Sequence, residues 1–159
     1  MNSEIPASVL FVCTGNMCRS PMAEAIFKSI LAENGYSWID VSSSGISAVP
    51  LAGASPHSRT AIEEIGLSLD NHVARQISQD MVKQNDLILV MEERHRQHIS
   101  SCFTGGRKKT FLLPEYAVGL KGKEIRDPMG YDIETYRECR DEIMKYLEKI
   151  IERWRFDND

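Results

Sequence analysis

Cys13 and Arg19 stand in the run Cys13-Thr-Gly-Asn-Met-Cys-Arg19-Ser20, and their side chains suit phosphoryl chemistry. A thiolate is a strong nucleophile, and a planar guanidinium fork holds two phosphoryl oxygens at once, which a lysine ammonium does not match. A free thiol has a pKa of about 8.5, so little of it is ionised at neutral pH. Among free backbone N–H groups, beside Arg19 and a helix start, Cys13 is expected to be mostly thiolate, because positive potential favours the charged form. The Ser20 hydroxyl, just past Arg19, can hydrogen-bond the sulfur. A cysteine and an arginine alone would fit a buried structural thiol equally well. Here the surroundings argue for function. The apolar run Val9-Leu-Phe-Val12 leads into Cys13, and Gly15 and Asn16 permit unusual backbone angles. Ser20-Pro21-Met-Ala-Glu24 then reads as a helix start, with Ser20 as N-cap and Pro21 at the first helical position.

A strand, a tight loop and a helix N-terminus therefore surround the sulfur. Such a loop binds dianions through backbone N–H groups and the helix dipole. Thr14, Gly15, Asn16, Met17, Cys18 and Ser20 are the residues expected to bind phosphate and substrate around Cys13. A leaving group also needs a proton, delivered from the side opposite the sulfur. Asp127 is the candidate: Pro128 restricts it to extended angles, which would aim its carboxyl into a cleft. An ordinary surface Asp-Pro turn is the plainer reading of that dipeptide.

The elements alternate. Strands are expected at 8–12, 39–43, 86–91 and 110–113, and helices at 22–34, 57–65, 92–101 and 133–154, with a further short turn of helix after Ser78. That order predicts an α/β three-layer sandwich: a central parallel four-stranded sheet with helices on both faces and a phosphate-binding loop after the first strand. Ligands in such sheets bind beyond the carboxyl ends of the strands, where Cys13 falls. The 159 residues are expected to form one domain. Ile133, Tyr136, Ile143, Leu147, Ile150, Ile151 and Trp154 make one apolar helix face, expected to pack on the sheet rather than on a partner helix. Arg107-Lys108-Lys109 reads as a solvated turn.

Composition bounds the function. The net charge of −4 gives no broadly basic face for nucleic acid, so phosphate affinity must be local to the loop. Residues 1–8 lack a basic leader, and the apolar run 9–12 is too short for a signal or a membrane span. Four cysteines, Cys13, Cys18, Cys102 and Cys139, do not suggest a secreted disulfide scaffold, and a reducing cytoplasm is expected. With His57, His72, His95 and His98 they show no convincing zinc spacing, so neither metal nor cofactor is expected. Oligomeric state cannot be read from this sequence.

Val12-Cys-Thr-Gly-Asn-Met-Cys-Arg-Ser-Pro21 resembles the signature loop of low-molecular-weight protein tyrosine phosphatases, and Asp127-Pro128 resembles that family's general-acid loop. Length, motif order and the gap between motifs extend the resemblance over essentially the whole chain. Within the family, Cys-Thr-Gly-Asn followed by Ser-Pro-Met-Ala-Glu is most similar to the protein arginine phosphatases of bacteria. The stretch from Gly45 to His57, and Asp127-Pro-Met-Gly130 before an Ile-Glu-Thr-Tyr helix start, point the same way. The resemblance implies phosphorylated protein substrates, a phosphocysteine on Cys13, Asp127 as acid and then base, and Ser20 assisting departure of the sulfur. It further implies a reversible Cys13–Cys18 disulfide, and support of Asn16 by His72 and Ser44.

Thr14 bears on the substrate. Tyrosine-directed members usually carry a larger aliphatic residue there and often a tryptophan in the variable loop; the arginine phosphatases carry threonine. Gly45-Ile-Ser-Ala-Val-Pro50 has no tryptophan, Ser47 stands where a bulkier wall residue is common, and Met129 stands where an aromatic residue is common. Phosphoarginine is therefore favoured, with phosphotyrosine the alternative. Related arsenate reductases share the loop but need two further cysteines close together and typically lack the proline, whereas Cys102 and Cys139 are far apart and Pro21 is present. A non-catalytic phosphate-binding module would lack one of Cys13, Arg19 and Asp127, and a phosphotransfer component would lack Asp127.

Overall fold

The computed structural model describes residues 4–159. The first three positions of the stretch read for a leader lie outside those residues. The elements run β1 (Ser8–Cys13), α1 (Arg19–Glu33), β2 (Asp40–Gly45), α2 (Pro56–Glu63), α3 (Gln79–Gln84), β3 (Leu87–Val90), α4 (Glu93–Cys102), β4 (Thr110–Leu112), α5 (Leu113–Val118) and α6 (Ile133–Asn158). All four strands are parallel, in the order β2-β1-β3-β4. The architecture is the α/β sandwich expected from the alternation of elements.

β1 is apolar and buried from Val9 onward because both of its faces are covered. Its alternate side chains Val9, Phe11 and Cys13 enter the larger core with α1, α2, α5 and α6, while Leu10 and Val12 enter a smaller one with Val82 of α3 and Ile99 of α4. Helix α6 lays Ile143, Leu147, Ile150, Ile151 and Trp154 into the larger core. The Trp154 ring lies with its centroid 5.9 Å from those of both Phe27 and Tyr36. Cys139 is buried on the same helix, and burial pushes its thiol up to about 12, as expected for an inert structural cysteine. Among the described residues no helix is long and apolar enough to cross a membrane.

Three expectations need correction. Helix α1 begins at Arg19 with Cys18 at the N-cap and no side-chain cap, so Ser20 is not the N-cap. Its hydroxyl is buried and turned towards the Cys13 sulfur instead, while Pro21 still falls in the first turn, where a missing N–H costs nothing. Of the two loop residues chosen for unusual angles, only Asn16 has positive φ, at 56°; Gly15 does not. The fourth strand ends at Leu112, and Leu113 opens the unforeseen α5, which Pro114 starts and Gly119 ends at φ 75°. The residues 107–109 form an exposed 3-10 turn.

Gly45 holds β2 against the loop. It pairs with Cys13, and a Cβ built on it would stand 2.5 Å from the Thr14 carbonyl oxygen and 2.9 Å from the Asn16 nitrogen, both backbone atoms. A Cβ on Gly53 would meet only the tip of the flexible Arg59 side chain. Gly45→Ala is expected to cost about 1–3 kcal/mol of unfolding free energy in urea titrations, against little change for Gly53→Ala. Equal effects would show that close packing at Gly45 is not what holds the loop.

Candidate active site

A cavity of about 250 Å3 opens at the carboxyl end of β1, where the strand order reverses between β1 and β3. Cys13, Thr14, Gly15, Met17, Cys18 and Arg19 line it from the loop, Ser47 and Val49 from the chain after β2, and Asp127 and Met129 from the segment before α6. The structure thus brings Cys13, Arg19 and Asp127 to one cavity, with Asn16 and Ser20 buried beside it. Among the described residues no group of three or more His, Cys, Asp or Glu side chains is placed to hold a metal ion.

A chain of hydrogen bonds leads to the Cys13 sulfur. The Glu24 carboxylate accepts the Ser43 hydroxyl proton at 2.7 Å, which leaves the Ser43 oxygen to accept from Asn16 Nδ2 at 2.9 Å. The second Asn16 Nδ2 proton goes to Ser20 Oγ at 2.8 Å, and Ser20 Oγ lies 2.9 Å from Cys13 Sγ against 3.4 Å from the Ser44 carbonyl. Either Cys13 Sγ or Ser20 Oγ could donate in the shorter contact, and Ser20 has its own proton to give to sulfur or to the Ser44 carbonyl. Asn16 Oδ1 accepts from the Arg75 backbone N–H, and the Asn16 carbonyl accepts from His72 Nε2 at 2.7 Å. His72 therefore braces the loop as the resemblance implied. The bracing serine is Ser43, not Ser44: strand alternation turns the Ser43 side chain to Asn16 and leaves Ser44 Oγ buried without a partner.

Arg19 is almost wholly buried. Its Nη1 donates at 2.8 Å to both the Ile125 carbonyl and Glu92 Oε2, and its Nη2 lies 3.5 Å from Asp127 Oδ2. The Ile125 N–H in turn donates to the Met91 carbonyl, so one residue ties the Asp127 segment to both Arg19 and the end of β3. Asp127 Oδ1 accepts the Met129 N–H at 3.1 Å, and its side chain stays partly exposed at the cavity wall.

Glu92 and His95, which the sequence did not single out, come from the turn between β3 and α4. Each caps the other: the Glu92 carboxylate accepts a backbone N–H at the third helical position, and His95 Nδ1 accepts the Glu92 N–H at 3.0 Å. With Nδ1 an acceptor, the imidazole proton sits on Nε2, which donates to Thr14 Oγ1 at 2.9 Å. Burial pushes the His95 pKa down to about 3, the Arg19 charge adds to this, and Glu92 opposes it. Burial works to raise the Glu92 pKa, but hydrogen bonds from Arg94 and Arg19 outweigh it and hold the carboxyl below its ordinary value. The reversed capping pattern Glu-x-x-His, directly after an apolar strand, is the signal that marks this turn in the sequence.

Cys18 Sγ meets Ser55 Oγ at 3.2 Å and Tyr136 Oη at 3.6 Å. Burial, with Cys18 adding to it, pushes the Tyr136 phenol up to about 12, so it stays a proton donor. Cys13 and Cys18 are both free and buried.

A family model described as low molecular weight phosphotyrosine protein phosphatase matches residues 8–158. The chain belongs to that family. It is 40% identical to a protein-arginine-phosphatase of Bacillus subtilis (strain 168), over 94% of this chain and 97% of that one. It is 35% identical to a low molecular weight protein-tyrosine-phosphatase, Ptp, of Acinetobacter johnsonii, over 79% and 82% of the two chains. Among solved structures, a YwlE arginine phosphatase with its active-site cysteine replaced by a phosphorylated serine superposes with a TM-score of 0.89. That match covers 95% of this chain and 97% of the other at 38% identity.

His95 gives the phosphatase an acid-sensitive element. The imidazole has a folded pKa of about 3, below the ordinary 6.5 of the unfolded chain, so the unfolded state binds more protons between those values. Its contribution is complete above the unfolded value and is lost as the pH falls towards the folded one. It amounts to about 2 kcal/mol between about pH 7 and about pH 5. His95→Gln should flatten the dependence of urea-unfolding free energy on pH by about that amount; parallel wild-type and variant curves would refute the assignment.

Proposed function

We propose that this chain hydrolyses protein phosphoarginine through a phosphocysteine on Cys13. What carries the reading is the arrangement across one small cavity: the sulfur with the Ser20 hydroxyl 2.9 Å away at the base, the Thr14 hydroxyl beside it, and the Asp127 carboxyl on the wall. Cys13 Sγ attacks phosphorus and forms the S–P bond as the P–N bond breaks. Asp127 gives its proton to the departing nitrogen, and the arginine side chain leaves. Loop N–H groups and the Arg19 guanidinium hold the non-bridging oxygens; because Glu92 and Ile125 already anchor Arg19, it does not have to be reorganised as charge shifts. Water then attacks phosphorus, Asp127 takes its proton, and the sulfur departs as thiolate towards the Ser20 hydroxyl. The family, the similarity to an arginine phosphatase and the serine phosphorylated in that phosphatase's mutant support this path.

Thr14 supports the guanidinium substrate, since it is small and offers a hydroxyl rather than an apolar wall to a flat ring. Phosphotyrosine is the second reading, favoured by the exposed apolar side chains of Val49 and Met129 at the cavity rim. The substrates are phosphorylated proteins in either case, and the reaction uses neither metal nor cofactor. Oxidation is read as joining Cys13 to Cys18, two thiols of the same loop, and so protecting the nucleophile.

Rates on matched phosphoarginine and phosphotyrosine peptides test the substrate. Wild type should favour phosphoarginine by about tenfold or more in kcat/KM, Thr14→Ile should move that preference towards phosphotyrosine, and Cys13→Ser should be inactive. Asp127→Asn should lower kcat by about a hundredfold. A wild-type preference for phosphotyrosine would overturn the phosphoarginine assignment. After peroxide treatment, dithiothreitol should restore wild-type activity but not that of Cys18→Ser; recovery by both would exclude the protective disulfide.

A further inference from the structure

Thr14 carries two hydrogen-bond donors that differ in how easily they can leave. His95 Nε2 donates to Thr14 Oγ1 from a fully buried ring whose tautomer the Glu92 N–H fixes. Arg94 Nη2 donates to the same oxygen at 2.6 Å and to Glu92 Oε2 at 3.1 Å, from a side chain that is 53% exposed. A hydroxyl oxygen has two lone pairs, so both are taken and Thr14 has only its proton left to offer. An incoming N–H finds no acceptor on Thr14 until one donor withdraws.

We propose that Arg94 is a resident guanidinium, occupying an acceptor subsite of Thr14 Oγ1 and Glu92 Oε2 that the guanidinium of a phosphoarginine residue takes over on binding. The proposal rests on the phosphoarginine reading and adds a specificity determinant to it. Only Arg94 can yield, because an exposed ion pair contributes little and its head finds water on release, whereas His95 has no solvent to turn to. The exchange replaces the N–H groups of one guanidinium by those of another, so the acceptors are matched both before and after it. A phosphotyrosine ring has no N–H to give and gains nothing from the subsite. Arg94 is drawn to these acceptors by Glu92, whose second strong partner, Arg19, keeps the carboxylate paired after Arg94 leaves.

Binding separates this from the rate comparison. Calorimetric Kd values are measured for matched phosphoarginine and phosphotyrosine peptides on Cys13→Ser and on Cys13→Ser/Arg94→Ala, with thermal melting to show that both are folded. Freeing a subsite that is occupied most of the time should lower the phosphoarginine Kd about three- to tenfold, with the phosphotyrosine Kd unchanged or raised. Equal shifts for the two peptides would make Arg94 a general charge, and a raised phosphoarginine Kd would make it a substrate contact; either overturns the proposal. Failure of the phosphoarginine reading would appear separately, as preferred turnover of phosphotyrosine by wild type.

Discussion

Asn16 is fully buried in a left-handed backbone conformation, and every polar atom of its side chain is matched. Asparagine is one of the few residues that visits this conformation, and here the surroundings determine it from three directions. Ser43 and Ser20 take its amide protons, Arg75 supplies a donor to its oxygen, and His72 holds its carbonyl. The loop that follows β1 is therefore held in place by its own asparagine. Burial makes this strict, since an amide left with one unmatched atom there would cost much of what the network contributes.

The same residue links structure to reactivity. Because Asn16 donates to Ser20, the Ser20 hydroxyl can spend its own proton on sulfur, and because Glu24 takes the Ser43 proton, Ser43 can accept from Asn16. A surface carboxylate thus orders a chain of neutral groups that ends at Cys13. On the far side of β1 a second set, Glu92, His95 and Arg94, organises Thr14 and Arg19. The two networks belong to opposite sides of the strand-order reversal and meet at the loop between them. Arg19 joins the charges: its guanidinium faces Glu92 and Asp127 together, so the buried cation is balanced on both sides and the Asp127 segment is tied to the loop. Burying such a cation without partners would be prohibitive, which makes Glu92 necessary to Arg19.

Much of this was legible in the residues alone. The continuous apolar run of β1, the glycine and asparagine after Cys13 and the alternation of strands with amphipathic helices determine a parallel sheet with a loop at its carboxyl edge. These signals are local, because backbone conformation and burial impose themselves on neighbouring residues in the chain. Asp127, far away in sequence, was picked out by the proline beside it and by the resemblance. Partners that meet only across the sheet stayed hidden. Ser20 reads as an N-cap by residue type, but the demand of the buried sulfur beside it overrides the local preference. Ser43 and Ser44 cannot be told apart without the register of β2, since one step along a strand reverses the face. Glu92, Arg94 and His95 look like an ordinary charged helix start until the pairing of β1 with β3 sets them against Thr14 and Arg19. The sequence by itself determined which groups are suited to the chemistry and on what scaffold they stand; only the tertiary structure decided which groups orient them, because a hydrogen bond between distant segments leaves no periodicity in the chain.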